Sequence, residues 1–166
     1  MKAITILQPF AQLIVIGEKH LETRKWETSY TGPLLIHAGK ASSNIELQNF
    51  PLNNFEPGMT LHQLAQMRTL NRGVILGIVD LHACLTHDDL QGSHSYYLTP
   101  LEKLVGFFGP GWCAWELKNP RTFKTPIPCR GNMGIWDTPA SFDQVLEESI
   151  HDALPALRET PPANAA

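Results

Sequence analysis

Residues 73–85, GVILGIVDLHACL, are apolar almost without interruption over a length that suits one strand. Successive side chains of a strand point to opposite faces, so a continuous apolar run has to be covered on both. The segment therefore belongs inside a sheet, with further elements packed over it. Gly77 within the run predicts a bulge or a close approach by other backbone.

The rest of the chain supplies the partners. Residues 3–7 (AITIL) predict a short strand, and Pro9 in a first helical turn opens a helix over 9–16, with Phe10, Leu13 and Ile14 as its buried face and Gly17 as its stop. The turn Tyr30-Thr31-Gly32-Pro33 leads into a strand at 34–38 (LLIHA). CAWEL at 113–117 predicts a strand ended by Asn119-Pro120; a further strand is expected at 122–127 and a last short one at 133–136. Residues 39–72 read as a helical insertion, with Leu61, Leu64, Met67 and Leu70 at helical spacing and a helix start near Ala41-Ser42. Residues 86–98 are polar and read as a surface loop. Thr99, Pro100 and Glu102 give an N-cap, a first-turn proline and a capping-box acid for a helix to about Val105, and Ser141-Phe142-Asp143-Gln144 opens a second to about residue 150. The expectation is one α+β domain over 1–150, a small mixed β-barrel of about six strands with peripheral helices, followed by a disordered tail over 151–166.

Against this apolar frame stands one charged stretch, GEKHLETRKW at 17–26. If 21–26 is extended, Glu22, Arg24 and Trp26 share one face and Leu21, Thr23 and Lys25 the other. Lys19, on the turn upstream, reaches the same area. An acid, two bases and an indole together have the composition of a polar pocket floor.

The totals exclude several classes. A net charge of −3 gives no general attraction to nucleic acid, so any such binding has to come from a local basic patch. The three cysteines, Cys84, Cys113 and Cys129, have no paired spacing and read as reduced, mostly buried thiols of a cytoplasmic protein. No signal-peptide pattern opens the chain and no apolar run reaches the ~20 residues of a membrane span. No GxSxG, Walker A, HExxH or GxGxxG pattern occurs, so no cofactor is implied. His82, His87 and His94 with Asp88 and Asp89 match no metal-ligand spacing and read as a solvated loop.

Taken in order, Gln8-Pro9-Phe10-Ala11, Gly17-x-Lys19-x-x-Glu22-x-Arg24-x-Trp26-x-Thr28, Gly32-Pro33-Leu34-Leu35-Ile36-His37-Ala38, Gly73-x-x-x-Gly77-x-Val79-Asp80, Trp115-x-x-x-Asn119-Pro120 and Pro128-x-x-Gly131-Asn132-x-x-x-Trp136 resemble the activating signal cointegrator homology (ASCH) domain, within the PUA-like barrels. The resemblance spans roughly residues 3–138. It implies a β-barrel with a cleft beside the helix and the GxKxxExR strand, and binding of RNA or another nucleic acid, or of a nucleoside-like molecule. Some ASCH-like proteins are similar to ribonucleases, and one branch to amidohydrolases acting on acylated cytidine. In that branch a Thr three positions after the motif Lys is the nucleophile. Here Glu22 holds that position, and Thr23 points to the opposite side of the strand.

Each candidate has a binding and a packing reading. Lys19 would meet a phosphate or carbonyl, Arg24 a planar acceptor, and Glu22 a base edge or Arg24 itself; the alternative is a structural ion-pair group. Trp26 and Trp115 would stack a base or fill the core, and Trp112 and Trp136 lean to packing. His37, with Lys40 beside it, either orients a ligand or satisfies a core carbonyl. Asp80 caps backbone or pairs with a base such as Arg24, and Gln8 caps the helix or reaches into the cleft. As an enzyme, the protein would be a metal-independent hydrolase with Lys19 and Glu22 catalytic. A third reading is a protein-interaction module using the 39–72 and 86–98 segments.

Overall fold

A computed structural model describes residues 1–42, 70–91 and 98–155. The order is β1 (Lys2–Gln8), α1 (Phe10–Val15), β2 (Leu21–Arg24), β3 (Gly32–Ser42), β4 (Val74–Thr86), α2 (His87–Gln91), α3 (Pro100–Val105), β5 (Cys113–Pro128), β6 (Ile135–Asp137), a 3-10 turn (Ala140–Phe142), α4 (Asp143–His151) and β7 (Leu154–Pro155). The strands form one curled sheet, a half-barrel, in the order β2-β5-β4-β3-β1-β6, with β7 also on β5. All pairings are antiparallel except β1 with β3. No helix among the described residues is long and apolar enough to cross a membrane.

As its composition requires, β4 is central and covered on both sides. Leu76, Val79 and Leu81 join α1 residues Ala11, Ile14 and Val15 in one core, with Ile4, Ile36 and Trp115. Ile75 and Ile78 join the other, with Phe123, Trp136 and Leu146 of α4. Leu76 and Ile78, two apart, face opposite ways because the register slips between Ile75 and Gly77. A Cβ on Gly77 would lie 2.2 Å from the Arg121 carbonyl oxygen, so the bulge needs a residue without a side chain. On α1, Ala11, Leu13, Ile14 and Val15 are buried, and Phe10 is partly exposed.

The largest departure from the sequence reading is β5. The two expected strands at 113–117 and 122–127 are one of 16 residues. Lys118 pairs with Asp80 and Arg121 with Ile78, so Asn119 and Pro120 together oppose Val79 as a bulge. Asn119 takes a positive φ of 50°, which asparagine tolerates, and the residues expected to end the strand only bend it. β3 likewise runs on through Ser42, past the expected start of the insertion and of a helix at Ala41-Ser42. The remaining helical expectation, with Leu61, Leu64 and Met67, lies outside the described residues, and Leu70, at its expected end, is not helical. The 86–98 segment begins with α2 rather than loop. The Thr99 cap forms, accepting from Glu102 N, whereas no side chain caps α4 or the 3-10 turn before it. Leu154 and Pro155, placed in the tail by the sequence reading, pair with Thr122 and Arg121.

Gly77→Ala is expected to cost about 1–3 kcal/mol or more by overpacking. Urea unfolding should show a lower midpoint at unchanged slope.

Candidate functional site

β2 is the end strand of the curled sheet, and the charged stretch closes its open side. The Glu22 carboxylate sits between two cations: Oε1 is 2.9 Å from Arg24 Nη2 and Oε2 is 3.2 Å from Lys19 Nζ. Lys19 Nζ also donates to the Leu21 carbonyl, and its side chain is only 1% exposed. Arg24 Nη2 reaches across the seam to the Thr5 carbonyl of β1 at 3.3 Å. On the other side of the turn, Glu102 of α3 accepts from the backbone N–H groups of His20 and Leu21. An edge strand exposes unpaired N–H and C=O groups. Here an acid takes two of the N–H groups and a lysine takes a carbonyl, so the charges inside the core region have backbone partners.

Alternation along β2 puts Glu22 and Arg24 on one face, and Lys19 reaches them from the turn upstream, as the sequence anticipates. Trp26 lies beyond the end of β2 and is 40% exposed. Its ring stands edge-on against Trp115, with centroids 4.6 Å apart and planes at 86°. Trp115 is fully buried, which leaves it no face for a stacked base. Trp26 instead lines two depressions. One, of about 500 Å³, is formed with Lys2, Thr28, Ser29, Tyr30, Gly134 and Ile135. The other, of about 360 Å³, lies towards Trp112.

The remaining candidates sit elsewhere. Gln8 is buried and caps α1: Oε1 accepts from Gln12 N at 3.0 Å and Nε2 donates to Asn71 O at 2.9 Å. Asp80 accepts from Asn119 Nδ2 at 2.7 Å rather than meeting Arg24. Lys40 is exposed and passes over Gly73, where a Cβ would lie 2.8 Å from its Cε. His37 is buried, with Nε2 donating to the Cys129 carbonyl at 3.1 Å and Nδ1 without a partner among the described residues. It is registered beside Thr5, and a Cβ on Gly131 would strike both side chains. Thr5 thus joins the two polar groups, its carbonyl taking Arg24 and its Oγ1 taking Trp136 Nε1 at 3.2 Å.

Three contributors escaped the sequence reading. Glu102 was visible only as a capping-box acid, and its carboxylate turns away from its own helix to the His20–Leu21 backbone. Thr5 acts largely through its main chain, which no side-chain pattern announces. Cys113 donates from Sγ to the Trp26 carbonyl at 2.9 Å and the Arg24 carbonyl at 3.4 Å, pinning the turn that carries Trp26. Burial, followed by the neighbouring Cys84 sulfur, pushes the Cys113 thiol up to about 11, in keeping with its role as a donor. All three cysteines are free. Among the described residues no group of three His, Cys, Asp or Glu side chains could hold a metal ion.

Lys19→Met removes one of the two cations on Glu22 and the ammonium that donates to the Leu21 carbonyl; breaking a buried pair from one side costs about 3–5 kcal/mol, readable by urea unfolding. Burial lowers the pKa of His37 below 6.5, with the Cys129 hydrogen bond opposing. The unfolded chain then binds the proton more readily, so this contribution is present above about pH 6.5 and is lost as pH falls through the folded-state value. A His37→Gln variant should flatten that part of the stability–pH curve.

The comparisons with known proteins agree with this architecture. A family model for the ASCH domain matches residues 4–127. The chain is 26% identical over 154 residues to activating signal cointegrator 1 of Mus musculus, an alignment covering 89% of this chain and 24% of that protein. It thus spans about a quarter of the length of this curated relative. Crystal structures of ASCH from Zymomonas mobilis and of a point mutant superpose with TM-scores of 0.52 and 0.51, at 15% identity over 89% of this chain and 93–94% of theirs. The family match over most of the chain, on a fold shared with those structures, places the protein in the ASCH domain family.

Proposed function

We propose that this domain binds single-stranded RNA, or a nucleoside-like part of it, at the mouth of the seam between β2 and β1. The observation that carries this reading is the pairing of a braced, half-exposed indole with a fixed guanidinium two residues away. Trp26 cannot fold back into the core because Trp115 already fills it, and Arg24 is oriented by Glu22 and the Thr5 carbonyl. A flat ring beside a planar donor suits a base that stacks and is read at its edge. The depression on the Tyr30 side adds the hydroxyls of Thr28 and Ser29, suited to ribose, and Lys2, whose ammonium is paired with Asp137 at 2.8 Å and would have to share that contact with a phosphate. Membership of a family associated with RNA supports the same reading.

Lys19 serves this site from behind. It is too enclosed to meet a phosphate directly, and its contacts engage it as a donor to Leu21 and Glu22. Hydrolysis of RNA or of an acylated nucleoside would require that network to open, so binding is the function the geometry supports.

Trp26→Ala should weaken binding of a single-stranded RNA oligonucleotide by about 1–3 kcal/mol, and Arg24→Ala should weaken it as well. With a net charge of −3 the salt dependence should be shallow. Fluorescence anisotropy titrations of variants first shown to be folded decide the matter. Unchanged affinity in both sinks the proposal, and metal-free turnover of RNA or acylcytidine by the wild type would replace binding with catalysis.

A further inference from the structure

Trp26 also lines the 360 Å³ depression, whose chemistry differs from that of the Tyr30 side. Its lining includes Trp26 and Trp112 together with the exposed Glu27 and Asp88. Neither carboxylate is in an ion pair with a described residue. The one cation among the lining residues, Lys25, holds its Nζ 5.2 Å from the centre of the Trp112 ring. Phe107, 55% exposed, tilts against the same indole with centroids 4.9 Å apart. His87 also lines the depression, its Nδ1 donating to the Phe108 carbonyl at 2.7 Å.

We infer that this depression is a receptor for an arginine side chain of a partner protein, with Lys25 as its resident competitor. Two unpaired carboxylates against one ammonium leave the depression negative, which disfavours a phosphate and attracts a cation. The electron-rich face of an indole attracts a cation too, and the position of Lys25 shows that this wall already holds one. A guanidinium is the cation that uses both features. It is planar, so it stacks on an indole, and its forked donors match a carboxylate. An ammonium such as that of Lys25 makes the first contact as a point charge. Arginine can therefore displace it, the released Lys25 moving to solvent or to Glu27. The inference rests on Lys25, Glu27, Asp88 and Trp112, and of the lining residues only Trp26 is shared with the depression used in the RNA reading.

The test titrates the intact protein with a short arginine peptide, its citrulline counterpart and its lysine counterpart, following the tryptophan indole N–H signals by nitrogen-edited NMR. The arginine peptide should shift the Trp26 and Trp112 signals, the lysine peptide should do so more weakly, and the neutral citrulline peptide should leave them in place. Lys25→Met should tighten arginine binding by about three-fold or more, the range of a surface cation–π contact. Asp88→Asn and Glu27→Gln, exposed and conservative, should weaken it by a similar factor while the fold persists. Equal shifts with citrulline overturn the proposal, as does an affinity that Lys25→Met leaves unchanged. Displacement of the peptide by an RNA oligonucleotide that needs Trp112 would assign the depression to RNA and likewise overturn it.

Discussion

The Glu22 carboxylate holds the open side of this fold together. The curled sheet does not close by hydrogen bonding, because β2 ends one side of the path and β6 the other. What crosses the gap is a chain of charge: Lys19 to Glu22, Glu22 to Arg24, Arg24 to the Thr5 carbonyl. Lys19 and Glu22 are enclosed and so cost desolvation, Arg24 is partly exposed, and each of the three charges has two partners in the chain. A hydrophobic replacement could fill the same space. It could not satisfy the backbone groups that an unpaired strand leaves behind.

That arrangement makes structure and recognition hard to separate at this site. Arg24 is a seam residue and also stands two residues before the exposed indole, so a lost affinity in an Arg24 variant has to be read beside its stability. Lys19 is further towards the structural end. With its side chain 1% exposed, a truncation there tests folding before it tests chemistry, and an assay comparing only wild type with Lys19→Ala would confuse the two. Trp26 separates them better, since its ring projects from the turn and the core behind it is already filled by Trp115.

Much of this was legible in the residues. The apolar run at 73–85 announced a strand covered on both faces, Gly77 announced its bulge, and the alternation of 21–26 put Glu22 and Arg24 on one side. The failures share a physical cause: the deciding partner was distant in sequence. Asn119-Pro120 looks like a strand end until Val79 is seen opposite both, and Glu102 looks like a helix cap until the His20–Leu21 backbone is placed before it. Trp26 and Trp115 were equivalent in the sequence. Only the packing of one ring edge-on against the other settles which is core and which is surface.

The length of β5 has a mechanical consequence. Its first residues, Cys113 and Trp115, pin and brace the turn that bears Trp26, and eight residues past Cys113 the same strand receives β7 on the edge that β2 has vacated. One strand, bent at the Asn119-Pro120 bulge, thus joins the turn that bears Trp26 to the pairing with β7. A load applied to the C-terminal segment, by tethering or by a bound partner, would be borne by the same strand that sets the pose of Trp26.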